Sequence, residues 1–277
     1  MGGHVTTPAA ALADELPPWA ALVRAPNPGP MTLDGTNTWV LRAPGERSCV
    51  VVDPGPLDEG HLRAVAERGP VAAILVTHGH HDHTEGVARL AELSGAPVLA
   101  PDAPVRLAGL EITPLAAPGH TADSVCYLVR RPTGGDATRG GDAARGGDAA
   151  VLTGDTILGR GTTVVAWPDG NLGQYLASLR MLADLGEIPV LPGHGPPLAD
   201  CAAAARFYLA HRLARLDQVR AVRAAGATTA AQIVATVYAD VDRSLWPAAE
   251  MSVRAQLAYL DEERRAADAV RESRPPG

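Results

Sequence analysis

The stretch Val71-Ala72-Ala73-Ile74-Leu75-Val76-Thr77-His78-Gly79-His80-His81-Asp82-His83 decides how this chain is read. Its first half is a short apolar run of the kind that forms a buried strand. Its second half places four histidines and one aspartate within six consecutive positions, beginning at a Gly-interrupted turn. Imidazole and carboxylate are donors that Zn²⁺ takes. In an extended loop, residues two apart face the same way, so His78 and His80 can grip one ion. Asp82 and His83 lie farther along and are free to grip a second. A solvated His-rich loop or a tag is the bland alternative, but neither would interleave an aspartate or follow a strand.

Composition bounds what surrounds this loop. The 277 residues suffice for one large domain or one domain plus an appendage. With 46% hydrophobic but only 4% aromatic residues, the core must be built from Ala, Val and Leu. A net charge of −7 argues against a whole-protein grip on nucleic acid, leaving only a local basic face for that role. All 24 basic residues are arginines, which removes Schiff-base, pyridoxal and P-loop lysine chemistry. Cys49, Cys126 and Cys201 are odd in number and form no C-x-x-C pair, so reduced thiols are expected. No basic leader or membrane-length apolar run is present in the sequence, and the expectation is a soluble cytoplasmic protein without a membrane partner.

Outward from the loop, strand and helix patterns alternate. Residues 1–30 read as a turn-laden lead-in. Trp39-Val40-Leu41 and Cys49-Val50-Val51-Val52 read as strands, the second stopped by Asp53-Pro54-Gly55. Asp53 is either an Asx-turn residue or a group that orients a ligand imidazole from behind. Positions 57–68 and 84–93 carry helical periodicity, and 97–100 reads as a short strand. Repeated strand–helix–strand units indicate an α/β architecture. Strands are expected at 111–115, 124–130, 150–152 and 188–191, with a helix over 172–185. A Gly-Gly-Asp-Ala array fills 133–149; its repeats have no apolar face and read as a flexible insertion at a hairpin tip. Beyond residue 198 the patterns are all helical, over 199–225, 228–238 and 247–267, giving an appendage over 199–277.

Three further donors follow strands and sit beside glycines: His120 in Pro-Gly-His-Thr, Asp155 in Thr-Gly-Asp, and His194 in Pro-Gly-His-Gly. Strand ends are where α/β sites assemble. His120 would complete a set with His78 and His80; His194 would complete one with Asp82 and His83. The two oxygens of Asp155 can bridge both ions, and each site keeps a position for a shared water.

The order Thr-His-x-His-x-Asp-His, Pro-Gly-His-Thr, Gly-Asp and Pro-Gly-His-Gly resembles the metallo-β-lactamase superfamily over residues 31–198. The resemblance implies an αββα sandwich, with Asp82, Asp155 and His194 catalytic among the ligands His78, His80, His120, Asp82, His83, Asp155 and His194. Residues 33–38, 155–163 and 208–212 are similar to the lactamase-beta-like branch, which includes a single-strand endoribonuclease and fungal polyketide thioesterases. That branch carries a C-terminal winged-helix-like domain, matching 199–270, although residues 266–277 contain no strand that could form a wing. The resemblance also places Thr36 and Asn37 near the mouth as substrate donors, the alternative being turn chemistry.

The expected function is a dinuclear hydrolase using two Zn²⁺ ions, with iron or manganese as alternatives, and a metal-activated hydroxide. The expected substrate is an ester or thioester of a small or carrier-bound acyl group. Single-stranded RNA is the alternative substrate, favoured by the arginines of helix 199–225, and a non-catalytic metal-binding protein is the third reading. His81 is expected at the rim rather than on a metal. The residues leave substrate, metal and oligomeric state open.

Overall fold

In the computed structural model, residues 16–100, 102–132 and 148–272 are described. The Gly-Asp-Ala array falls almost wholly outside them, as do residues 1–15 of the lead-in and the last five of the chain.

Two sheets face each other. The first has the order β1-β2-β3-β4: β1 Ala20–Arg24, β2 Asn37–Leu41, β3 Cys49–Val52 and β4 Val71–Leu75. The second runs β5-β6-β7-β8-β9: β5 Val105–Leu107, β6 Leu110–Ala116, β7 Val125–Arg130, β8 Ala149–Gly154 and β9 Val190–Pro192. Each sheet is antiparallel except for one parallel pair, β3 with β4 and β8 with β9.

Period-2 alternation allots the apolar side chains to two faces. Trp39, Leu41, Val50, Val52 and Leu75 point between the sheets and meet Leu110, Ile112, Tyr127, Val129 and Leu152. Val40, Cys49, Val51 and Ile74 point outward and are covered by Leu62, Val65 and Leu90. Those last three come from α1 Glu59–Ala66 and α3 Val87–Ser94. A strand covered on both faces must be apolar throughout, which is why β3 is an unbroken Cys-Val-Val-Val. Asp58 caps α1 by accepting the His61 N–H at 2.7 Å.

The outer face of the second sheet, through Cys126, Val151 and Val190, packs on α4 Leu172–Ala183 and α5 Cys201–Ala224. The sandwich is thus helix, sheet, sheet, helix. Small residues Ala204 and Ala205 on α5 are fully buried against this core, as is Tyr208. Helices α6 Ala230–Val237 and α7 Trp246–Glu272 complete the C-terminal part, joined by a 3-10 turn at Arg243–Leu245. Thr229 and Gln232 form a reciprocal capping box that starts α6. Among the described residues no strand follows Pro192, so no β-wing accompanies these helices. No helix among the described residues is long and apolar enough to cross a membrane.

Several local expectations need correction. The lead-in contains β1, paired antiparallel with β2 from Ala20–Leu41 to Arg24–Asn37. Its Ala/Pro composition hides a strand because an edge strand tolerates flanking prolines and needs only one neighbour. Residues 97–100 make only an isolated bridge, Val98 with Ile74, and β5 was not foreseen. The donor loop is not extended throughout: α2 His81–Thr84 is a single helical turn, with His80 as its extended N-cap residue. The Gly-Asp-Ala array connects adjacent ends of β7 and β8, whose last pair is Arg130–Ala149. Arg131 and Asp148 clamp the two ends together at 2.7 Å.

Candidate metal centre

The expected donors converge at one end of the sandwich, at the ends of β4, β8 and β9 and on the loop between β6 and β7. His78, His80, His120 and Asp155 form one group; Asp82, His83 and His194 form the other. His80 Nδ1 lies 3.0 Å from His78 Nε2 and 3.1 Å from His120 Nε2. His83 Nε2 and His194 Nε2 are 3.2 Å apart, and Asp82 Oδ2 is 3.1 Å from His194 Nε2. Asp155 faces both groups: Oδ1 is 3.5 Å from His83 and 3.4 Å from His194, while Oδ2 is 3.9 Å from His120. His81, expected at the rim and not on a metal, lies outside both groups with its side chain 91% exposed.

The backs of the imidazoles fix which nitrogen faces inward. His83 Nδ1 donates to Asp53 Oδ2 at 2.9 Å. His120 Nδ1 donates to the Val164 carbonyl at 2.6 Å, and His194 Nδ1 to the Gly35 carbonyl at 3.3 Å. Thr77 donates its hydroxyl to Asp53 and accepts from His78 Nδ1 at 3.1 Å. Four Nε2 atoms are left facing one another, together with His80 Nδ1. Nitrogens that share one tetrahedral zinc at bonds of about 2.0–2.1 Å stand roughly 3.3 Å apart, close to the spacing found here. His80 has one Nδ1 and can donate to only one of its two neighbours. Asp155 Oδ1 is buried with no hydrogen-bond partner. Imidazole nitrogens and carboxylates converging beside a carboxylate oxygen without a hydrogen-bond partner are what a divalent cation stabilises, so these residues fit a metal.

Electrostatics point the same way. Burial, reinforced by neighbouring imidazoles, pushes His78 down to about 2, and burial also lowers His120. Both rings are therefore neutral, as ligands must be. At the second group burial opposes charge on His83 and His194, but carboxylates outweigh it: Asp53 and Asp155 hold His83 well above the ordinary imidazole value, and Asp155 and Asp82 raise His194 to about 9. The metal-free site thus holds a proton there at neutral pH, and a cation must displace it. Apparent metal affinity is expected to rise with pH through neutrality, by about tenfold or more per pH unit below about pH 9. A chelator-competition titration checks this, and a flat profile would contradict it. The same raised pKa adds stability to the metal-free fold that is complete below about 6.5 and lost as pH passes about 9.

The backbone makes the approach of these groups possible. A Cβ on Gly193 would stand 2.5 Å from Asp155 Oδ1 and 2.8 Å from His83 Cε1, so His194 can reach the site only over a glycine. Gly119, with φ of +139°, turns His120 inward in a conformation open to glycine, and a Cβ there would collide with the backbone of Tyr175.

Thr36 and Asn37 do not present free donors to a substrate. Both are fully buried. Asn37 uses its amide on the Pro192 and Gly195 carbonyls at 3.0 and 2.8 Å, bracing the loop that bears His194. Thr36 points its hydroxyl at Asp82 Oδ2, 3.4 Å away. Asp53, left open between two roles by the sequence, sits behind the site with φ of +53° and joins Thr77 to His83.

Several supporting residues escaped sequence reading. Thr77 adjoins His78, and its place in the motif was the available signal. The Val164 carbonyl leaves no trace in side-chain identity. The segment bearing it, 156–165, is held from α5: Tyr208 Oη accepts the Leu158 N–H at 2.9 Å, and Arg212 donates to the Thr163 carbonyl. Residues 208–212 carry part of the family resemblance; their physical work here is to fix the loop that orients His120.

The family comparisons agree with this geometry. Residues 31–111 match the family described as the metallo-beta-lactamase superfamily, and 229–272 match the beta-lactamase associated winged helix domain. The lactamase-like protein aptB of Emericella nidulans is 30% identical over 270 residues, which cover 86% of this chain and 80% of that protein. The chain belongs to the metallo-beta-lactamase superfamily. An atrochrysone carboxyl ACP thioesterase of Aspergillus fumigatus is 32% identical over 66% of this chain and 58% of its own length. Among solved structures, a beta-lactamase domain protein from Burkholderia ambifaria superposes with a TM-score of 0.69 at 23% identity. It covers 92% of each chain, a likeness of fold. The superfamily match ends at residue 111, so the placement of His120, Asp155 and His194 beside the first four donors rests on the structure.

Proposed function

We propose that this protein is a dinuclear metal-dependent hydrolase of an ester or thioester of a small or carrier-bound acyl group. The observation that carries this reading is the pair of donor groups with one carboxylate, Asp155, facing both. The imidazole-rich donor set suits zinc first and iron or manganese next. His78, His80 and His120 would hold one ion, Asp82, His83 and His194 the other, with Asp155 between them. Bound there, such ions lower the pKa of water and polarise an acyl oxygen. The chain's own residues keep the ligands in register: Asp53, Val164 and Gly35 hold the imidazole tautomers, and Thr36 contacts Asp82. In the reaction the water oxygen bonds the acyl carbon, the carbon–sulfur or carbon–oxygen bond breaks, and the proton leaves with the thiol or alcohol. Residues 31–198, extended by β1, would form the catalytic part, and 199–277 its helical appendage.

The relative named as an ACP thioesterase supports an acyl substrate. So does the state of the arginines on α5, the feature that favoured RNA. Arg220 is paired with Asp217 and Glu263, Arg223 with Asp261, and Arg212 is buried. With Arg220 and Arg223 so paired and Arg212 out of reach of bulk solvent, the outer face of α5 presents fewer cations to an extended phosphate backbone.

An assay panel tests the reading: an acyl thioester, a single-stranded RNA and bis-nitrophenyl phosphate, offered to metal-loaded wild type and to Asp82→Ala. The expected result is thioester cleavage that chelator abolishes, metal restores and the substitution lowers about 10²-fold or more. RNA cleavage with steep salt dependence and no thioester turnover would establish the endoribonuclease reading instead. Protein that takes up no metal and shows no activity would leave a non-catalytic protein.

A further inference from the structure

A cavity of about 290 Å³ opens between segment 156–165 and the C-terminal helices α5 and α7. It belongs to the same space as the metal centre, because His120 and Asp155 are part of its wall. The remaining wall is largely apolar, with Leu33, Leu158, Val241, Leu245, Ala248 and Ala249. Its size is near the lower end for small-molecule sites. The helical appendage therefore closes one side of the chamber that adjoins the donors.

The charge on this wall is one-sided. Arg160, His211, Arg212 and Arg215 line it, and the acidic group among the lining residues is Asp155, already engaged with the histidines. Arg160 is neutralised by Asp34 at the mouth. Arg215 donates to the Val237 carbonyl and lies over the Tyr238 ring. Arg212 is 3% exposed, donates to the Thr163 carbonyl and lies 5.3 Å over the Tyr175 ring, and its Nε–H has no partner. Elsewhere on α5, Arg220 and Arg223 have carboxylates; Arg212 and Arg215 pair with none among the described residues. A buried guanidinium with a free donor and no counter-charge is costly in isolation. The cost is offset when an anionic ligand occupies the cavity, and guanidinium is the group best suited to bind one.

From this we infer that the chamber between segment 156–165 and helices α5 and α7 receives the acyl half of the substrate, and that the preferred acyl group is apolar with an anionic oxygen on its distal part, taken by Arg212. Arg212 is then a specificity-determining residue as well as a brace for the segment that orients His120. The inference rests on the hydrolase reading above for the place of the scissile carbonyl. Its test separates binding from turnover, so that the two can fail independently.

The probes are hexanoyl and adipoyl thioesters of N-acetylcysteamine, matched in chain length and differing in a terminal carboxylate. Their ketone analogues, with methylene in place of sulfur, are used for calorimetric binding to the metal-loaded protein. Wild type is expected to bind the adipoyl ketone about tenfold or more tighter than the hexanoyl ketone. Arg212→Met, which keeps side-chain length without charge, should bring the two within about twofold. Ala249→Leu, which fills the chamber without touching the charge, should weaken both ketones about tenfold. Equal binding of the two ketones by wild type overturns the inference. So does an undiminished preference in Arg212→Met, or full affinity in Ala249→Leu. If Arg212→Met does not fold, the wild-type preference and the Ala249→Leu result decide by themselves. Preferential ketone binding without cleavage of either thioester would leave the chamber in place and remove the thioesterase reading.

Discussion

Replacing Asp155 with asparagine is expected to lower hydrolysis by roughly 10³-fold or more and to reduce the metal bound per chain. The side chain keeps its volume, so the effect isolates chemistry from packing. Asp155 is the donor that faces both groups, within 3.5 Å of His83 and His194 on one oxygen and 3.9 Å of His120 on the other. Burial alone would raise its carboxyl; the charges of His194 and His83 override that and hold it well below the usual carboxylate range, so it is ionised at every working pH. Asparagine has one acceptor oxygen, and its amide N–H groups would point at a position meant for a cation. Elemental analysis of the purified variant beside its steady-state rate is the measurement. An unchanged metal content with an unchanged rate would refute the bridging role.

Replacing Asp53 with alanine is expected to cost stability and metal together, although Asp53 is in neither donor group. It is 1% exposed and accepts three bonds: the Thr77 N–H and Thr77 hydroxyl at 2.8 Å each, and His83 Nδ1 at 2.9 Å. Alanine leaves these donors buried without an acceptor and must still adopt a φ of +53°. About 3 kcal/mol of stability should be lost. Affinity at the Asp82, His83 and His194 group should fall about 10–100-fold, as when other groups that orient metal ligands are removed. An asparagine at this position would tolerate the left-handed backbone and keep one acceptor, so Asp53→Asn should be milder on both counts. Denaturant unfolding and chelator competition on the two variants check the ranking; an alanine variant that holds metal like wild type would contradict it.

The strands at the centre were legible because their pattern is local. Cys49–Val52 is continuous apolar sequence since both faces are covered, and the 71–76 run precedes the donor loop for the same reason. The helices over 172–183, 201–224 and 230–237 were legible through their period; the structure adds their caps, Asn171, Asp200 and Thr229 each accepting an N–H of the first turn. What escaped reading was structure stabilised from outside its own segment. β1 is a strand because β2 lies beside it. Residues 97–100 resemble a strand but find only the end of β4, through a single bridge. Asn37 resembled a loop donor at the mouth, yet its amide is taken by carbonyls more than 150 residues away.

The same division holds at the site. Donor identity and order belong to the sequence: His78, His80, Asp82, His83, His120, Asp155 and His194 each follow a strand, at or near a glycine that allows a tight turn. Which nitrogen each imidazole offers was decided by the tertiary structure, because the atoms behind the rings are distant in the chain and several are backbone carbonyls. The Val164 oxygen sets His120, the Gly35 oxygen sets His194, and Asp53 sets His83. The cavity beside them exists only where α5 and α7 meet segment 156–165, and no local period encodes that meeting. Hydrophobic patterning acts over a few residues and can be read from sequence. Hydrogen-bond partners and unpaired charge depend on which strand ends and helices the packed layers bring within about 3 Å of one another.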